Sequence, residues 1–258
     1  MKKKHPIMVA LVATGLALLS CRKPHAKLPA KIAPTPSTAT TAAQATHDRK
    51  HPAIECPLAQ RGINTAHLRP FDDIEKYVAF LERPDRDVWQ RPDAVVEALG
   101  LAGNETVADI GAGSGYFSFR LAKALPSGEV IATDIEPEMV RHMHHKAVSE
   151  GIKNLQVTLG KPDDPGVPTD ANLVFVCDVL HHVSDRAAWL GRLAAGMSTG
   201  ARLVLIEFKE GPPPEGPPEN VKIPERTLIS LVTHAGLALV TDKPDLLSYQ
   251  TFLIFRKP

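Results

Sequence analysis

Apolar and polar positions between residues 92 and 258 alternate between two periods. Val107, Ala108 and Ile110 form a short apolar run that reads as a buried strand, ending beside Asp109. Phe117, Leu121 and Ala124 then recur at helical spacing, so a helix is expected to open at Tyr116. Residues 129–134 and 155–159 read as further strands, and Pro137 to Glu150 as a helix with Met139, Val140, Met143 and Ala147 inward. Ala171 to Cys177 is almost continuously apolar, as suits a central parallel strand covered on both faces. Helices over 185–195 and 224–235, the latter stopped by Gly236, alternate with strands over 201–208, 237–241 and 249–256.

Upstream the pattern is less regular. Ile74, Tyr77, Val78 and Leu81 share one face of a helix over 71–81, and Pro92 opens a short helix running to Leu99. Between them, Trp89 and Gln90 are expected in a loop between two prolines. Two roles stay open for Trp89: packing the extension onto the core, or walling the mouth of a site. Residues 22–55, rich in Ala, Pro, Thr and Lys, offer too little apolar surface to offset ordering and read as a tether reaching roughly 30 Å. Residues 1–21 have lysines, then an apolar run from Ile7 to Leu19, shorter than the ~20 residues that span a bilayer, as a targeting segment has. It ends Leu-Leu-Ser-Cys at 18–21 and resembles the lipobox of bacterial lipoproteins. That resemblance implies export and membrane attachment through a lipidated Cys21, with a cytoplasmic location as the alternative. The expected organisation is a signal over 1–21, a tether over 22–55, a helical extension over 56–91 and one domain over 92–258.

Composition narrows the partners. With 30 basic and 29 acidic side chains and 5% aromatic residues, nothing calls for nucleic acid. Three cysteines make neither a disulfide framework nor a zinc site. His142, His144 and His145 lie on one predicted helix without a matching carboxylate, so a solvated face is expected there and no metal. The oligomeric state is not legible.

The chemistry concentrates around Asp109-Ile-Gly111-Ala-Gly113-Ser-Gly115-Tyr116. Strand, glycine loop and helix let backbone approach a ligand closely. A dinucleotide fingerprint would need glycine where Tyr116 stands. Asp134 ends the next strand, about 20 residues further on, where an acid accepts ribose hydroxyls. Ile135 beside it offers an apolar surface to a nucleobase.

The D-x-G-x-G-x-G loop, Asp134 and the apolar strand ending Cys177-Asp-Val-Leu-His-His182 together resemble the class I S-adenosylmethionine-dependent methyltransferases. The resemblance covers residues 92–258. It implies an α/β, Rossmann-like three-layer sandwich with a mostly parallel seven-stranded sheet, S-adenosylmethionine as cofactor and a small-molecule methyl acceptor. It further implies cofactor contacts from Asp109, Gly111, Gly113, Gly115, Tyr116, Asp134, Ile135 and Asp178. The family's adenine-contacting acid normally follows the glycine directly; here Lys161 follows Gly160, and Asp163 is the expected substitute. His181, with Asp178, is the candidate base for removing an acceptor proton, against a packing role. Residues 71–91, 178–183 and 209–222 are expected to form the acceptor pocket. Two other classes remain: a non-catalytic S-adenosylmethionine-binding or scaffold protein of the same fold, and an NAD(P)-dependent oxidoreductase.

Overall fold

The computed structural model of the chain describes residues 71–211 and 216–258, with the backbone alone for 71–73. The expected signal, tether and first part of the extension, residues 1–70, lie outside the described residues, as do residues 212–215 of the proline-rich segment. Helices are α1 (Phe71–Leu81), α2 (Pro84–Gln90), α3 (Pro92–Ala98), α4 (Ser118–Ala124), α5 (Pro137–Ser149), α6 (Arg186–Gly196) and α7 (Glu225–His234). Strands are β1 (Thr106–Ile110), β2 (Glu129–Asp134), β3 (Leu155–Leu159), β4 (Leu173–Cys177), β5 (Arg202–Phe208), β6 (Ala238–Asp242) and β7 (Gln250–Arg256).

The seven strands form one sheet in the order β3-β2-β1-β4-β5-β7-β6. The first five pair in parallel, and β7 runs antiparallel between β5 and β6. The period-2 alternation of a strand divides its side chains between two cores. In β4, Leu173 and Phe175 face Leu121, Val140 and Met143 of α4 and α5, while Val174 and Val176 face Trp189, Leu193 and Leu228 of α6 and α7. All five β4-adjacent apolar anchors Leu173, Phe175, Val174, Val176 and Leu193 are fully buried, each stabilising by about 1.5–3 kcal/mol. Covered on both faces, β4 shows an unbroken apolar run. Order reverses between β1 and β4, which opens a crevice at the carboxyl ends of these strands.

Three local expectations are corrected. Trp89 and Gln90 are not in a loop. Pro84 supplies a preset φ at the first position of α2, and the helix ends where Arg91 turns left-handed (φ 45°) before Pro92 opens α3. A seven-residue helix with only Val88 and Trp89 as large apolar side chains has too few apolar positions to show a period. The helix after the glycine loop begins at Ser118, not Tyr116, because tertiary contacts hold Tyr116 and Phe117 in the preceding turn. The histidines of α5 do not form a solvated face: His145 is buried and His142 and His144 are half-buried. Burial lowers the His144 pKa from its usual value.

Candidate functional site

A cavity of about 800 Å³ opens along the carboxyl ends of the parallel strands. Its floor is the glycine loop after β1, Asp134 and Ile135 at the end of β2, residues 160–165 after β3 except Asp163, and residues 177–184 at and after the end of β4 except Leu180. The α1–α2 segment covers it through Tyr77, Phe80, Leu81, Arg86 and Trp89, and Pro217, Pro218 and Val221 form the far rim. The rim is pinned at its base, where Glu219 accepts from Gly211 N (3.0 Å) and from Lys222 Nζ (2.7 Å).

The glycine loop folds over β2. Gly111 N and Ala112 N donate to Thr133 O at 2.8 and 2.9 Å, and Gly113 N donates to Asp134 Oδ2 at 2.7 Å. The three glycines differ in what surrounds them. A Cβ on Gly111 would lie 2.5 Å from Val179 Cγ2, and one on Gly115 would lie 2.6 Å from Phe119 Cε2. Both positions have no room for a side chain; Gly111 also lines the cavity, whereas Gly115, expected as a cofactor contact, lies outside its wall. Gly113 is different: with φ 58°, its Cβ would meet only Leu81 Cδ1, at 3.8 Å, and project into cavity space.

Asp134, nearly buried, also accepts from Glu136 N at 2.8 Å. Each of its oxygens thus keeps lone-pair capacity for ligand hydroxyls. Ile135 is 51% exposed at the mouth, an unusual place for a large aliphatic side chain. Asp109 Oδ2 accepts from Ser118 Oγ at 2.6 Å, which ties β1 to the first residue of α4. Ser114 borders the cavity but is only 1% exposed, and its buried Oγ has no partner among the described residues. Of the acids after Gly160, Asp164 lines the cavity, whereas Asp163 lies off the wall and accepts through its carbonyl from Arg192. Lys161 and Asp164 pair in an isolated antiparallel bridge within this turn.

Tyr116 lines the wall, but its hydroxyl donates to Asp87. The Arg86 and Arg120 guanidinium groups lie 3.9 and 4.2 Å from its ring centroid. Burial and the Asp87 bond raise its pKa. Tyr116 therefore fastens α2 to the glycine loop rather than presenting a hydroxyl to a ligand.

Beyond β4 the chain turns sharply at Asp178, whose φ of 60° is a left-handed value that aspartate tolerates better than most side chains. Gln250 Nε2 donates to both Asp178 oxygens (2.7 and 2.8 Å), and Gln90 Nε2 donates to Gln250 Oε1 (2.8 Å). Arg86 Nε donates to Gln90 Oε1 at 3.2 Å, so a polar chain links α2, β7 and β4. His181 follows on a short 3-10 turn, Leu180–His182. Its Nδ1 lies 2.8 Å from Oε2 of the buried Glu207, whose Oε1 accepts from Leu180 N at 2.5 Å. A carboxylate only accepts, so Nδ1 carries the hydrogen and Nε2 keeps its lone pair. The sequence reading missed Glu207 and Gln250. An acid in the apolar strand Leu203-Val-Leu-Ile-Glu207 is a signal that could have found the first; Gln250 carries none.

Electrostatically the wall is acidic. Burial pushes the Asp109 carboxyl up to about 7 and also raises Asp134. Burial and the Glu207 charge push Asp178 up to about 6. Burial opposes charge on His181, but the Glu207 hydrogen bond and charge outweigh it and its pKa is raised. Burial and the charge of His181 lower His182. Burial raises the Cys177 thiol well above its usual value, so it is no nucleophile. Among the described residues no cluster of His, Cys, Asp and Glu is arranged to hold a metal ion.

Comparison with known proteins agrees with this geometry. Residues 108–203 match the family described as "Methyltransferase domain". An uncharacterized methyltransferase of Mycobacterium bovis is 29% identical over 116 residues, covering 45% of this chain and 57% of that protein. A demethylmenaquinone methyltransferase of Tropheryma whipplei is 30% identical over 163 residues, covering 60% of this chain and 64% of its own length. The chain thus spans less than two thirds of these relatives. The crystal structure of a SAM-dependent methyltransferase from Aquifex aeolicus superimposes with a TM-score of 0.64 at 24% identity, over 70% of this chain and 96% of that one, a likeness of fold. Fold and matched segment agree on the architecture: a Rossmann-like α/β fold with a mostly parallel seven-stranded sheet, similar to that of the methyltransferases. In this chain the signature of a methyltransferase domain runs from β1 into β5.

Proposed function

We propose that the protein transfers a methyl group from S-adenosylmethionine to a small-molecule acceptor. The observation that carries this reading is the acid-lined cavity. Asp109, Asp134 and Asp178 share one wall, and burial raises all three. A ligand bearing an ammonium and a sulfonium relieves that; the pyrophosphate of a dinucleotide worsens it. The residues fit the cofactor. Gly113 leaves space for it, Asp134 retains acceptor capacity for a ribose, and Ile135 offers an apolar face.

When bound, S-adenosylmethionine supplies a methyl group already activated by the sulfonium. The chain's own task is to bind, orient and exclude water, which in ideal cases supplies up to ~7–11 kcal/mol. Asp178, held by Gln250, fixes the floor beside β4. His181 accepts the acceptor's proton at Nε2, while Glu207 holds Nδ1–H and stabilises the imidazolium that results.

Titration of the protein with S-adenosylmethionine and with NAD(P) tests the reading; binding of NAD(P) in preference to S-adenosylmethionine overturns it. Binding without turnover of any acceptor would leave the scaffold alternative. Asp134→Ala is expected to weaken S-adenosylmethionine binding by about 1.5–3 kcal/mol, since a charge-assisted acceptor is lost. The loss also includes the Gly113 N–H bond that orders the loop. Unchanged affinity by calorimetry would place the nucleoside elsewhere.

The same proposal extends to location. The Lys-rich start, the apolar run and Leu18-Leu-Ser-Cys21 support an exported lipoprotein anchored through Cys21. In a bacterial host the full-length protein is expected to take up radiolabelled fatty acid and Cys21→Ser is not. A label-free protein in the soluble fraction would sink this point and leave the enzymatic one standing.

A further inference from the structure

We propose that Gln90 is a positioning residue for cofactor binding: through Gln250 it holds Asp178 ionised on the cavity wall, where a cationic cofactor meets it. The proposal rests on the methyl-transfer reading and deepens it, by naming what maintains one of the charges that receive the cofactor. Gln90 closes α2 and Gln250 opens β7, 160 residues further on, and both are fully buried. Asp178 borders the cavity, and the two glutamines lie behind its wall. Glutamine is mostly exposed in folded proteins, so two of them buried in contact call for a reason.

The hydrogen bonds between them run in one direction. Arg86 can only donate, and it is fixed independently of Gln90 by Leu81 O at 2.7 Å and by the Tyr116 ring at 3.9 Å. Its Nε donates to Gln90 Oε1 at 3.2 Å, so Gln90 turns Nε2 toward Gln250 Oε1 at 2.8 Å. Gln250 then has only its Nε2 to offer Asp178, 2.7 and 2.8 Å from the two carboxylate oxygens. Turned round, the Gln250 amide would set its oxygen against that carboxylate and favour a protonated Asp178. The surroundings make the difference matter. The charged groups that bear on Asp178 are Arg86 on α2, His181 on the turn after β4 and Glu207 on β5, and the Cys177 thiol of β4 lies 3.5 Å from its Oδ2. Burial and Glu207 disfavour its charge, while Arg86, the Gln250 bonds and His181 favour it. The Gln250 contribution keeps its sign only while the amide points as Gln90 directs it.

The test reads the titration midpoint of the Asp178 carboxyl by carbon-detected NMR on the full chain without ligand. Calorimetry with S-adenosylmethionine between about pH 5 and 9 runs beside it. Gln90→Met fills similar space but cannot hold the Gln250 amide. Its Asp178 midpoint is expected about one pH unit above that of the wild type. Affinity follows the ionised fraction, so S-adenosylmethionine should bind about fivefold more weakly near pH 6 and almost unchanged near pH 8.5. Asp109 and Asp134 are present in both proteins, so the difference between them reports Asp178. An unmoved midpoint, or an affinity loss equal at every pH, makes Gln90 a packing residue and overturns the proposal. Gln90→Glu gives a second, independent reading. It keeps the size and the Arg86 bond but can only accept, so it turns the Gln250 amide round. Asp178→Asn in that background sets a donor opposite the turned oxygen, and asparagine tolerates the left-handed backbone there. The double variant is expected to melt about 2–4 °C above Gln90→Glu alone, the worth of one hydrogen bond. A double variant that melts no higher overturns the directed chain. A moved midpoint in a protein that binds no S-adenosylmethionine at any pH refutes the methyl-transfer reading instead, and with it any role of Gln90 in cofactor binding.

Discussion

Glu207→Gln is expected to lower kcat by about 10²–10⁴ while S-adenosylmethionine affinity stays unchanged. The substitution preserves shape, and the amide oxygen still accepts from Leu180 N. Its NH2 group then faces His181 Nδ1, where the carboxylate now lies at 2.8 Å. An amide N–H can only donate there, so the imidazole must place its own hydrogen on Nε2 and ceases to be a base toward the cavity. His181→Ala should give a loss of the same order, and the double substitution little more, since the two act as a unit. The pH dependence has a definite sign. A base must be unprotonated, so the wild-type rate falls as pH drops below the His181 pKa, which Glu207 holds above its usual value. Removing the carboxylate lowers that pKa. NMR titration of His181 reads the shift without any acceptor. The same raised pKa makes the ion pair stabilising below the unfolded histidine pKa of about 6.5. That contribution is lost as pH rises through the folded value. Unchanged kcat in Glu207→Gln would return His181 to a packing role.

Gly113→Val is expected to weaken S-adenosylmethionine binding by more than about 100-fold with the fold retained. A branched side chain at φ 58° costs about 1–2 kcal/mol in the backbone, which a domain of this size survives. Its methyl groups would stand in cavity space, since only Leu81 Cδ1 lies within reach of the new Cβ. Gly111→Ala should behave in the opposite way, because its Cβ would strike Val179 at 2.5 Å and destabilise the turn itself. Thermal melts beside calorimetry distinguish the two. If Gly113→Val binds normally, the loop's glycines serve the turn alone and the ligand lies elsewhere.

Residues 106–110, 129–134 and 171–177 announced the middle of the sheet because burial on both faces leaves few polar positions along a central strand, whereas the edge strand 155–159 alternates, with Leu155 and Val157 buried and Gln156 exposed. The loop and Asp134 were equally legible, since a backbone needing φ above zero selects glycine and a strand-end acid is a local feature. Local pattern has no access to partners far apart in sequence, and there the tertiary structure decided. Tyr116, read as a cofactor contact, is held by Asp87 and two arginines, Arg86 and Arg120, only because α2 folds back over the glycine loop. Asp163 and Asp164 are indistinguishable in sequence, and only the folded turn shows that Asp164 is the one that lines the cavity. Trp89 could be assigned to packing or to the site only once Phe208 was seen beside it. Glu207 near the end of β5 and Gln250 at the start of β7 reach His181 and Asp178 through contacts spanning 26 and 72 residues. The sequence by itself determined which backbone could form and where a glycine loop would meet a strand-end acid, because those depend on each residue's own conformational and apolar preferences. Which side chains act together depended on strand order and on a cap helix folding over the sheet, and only long-range packing determines that.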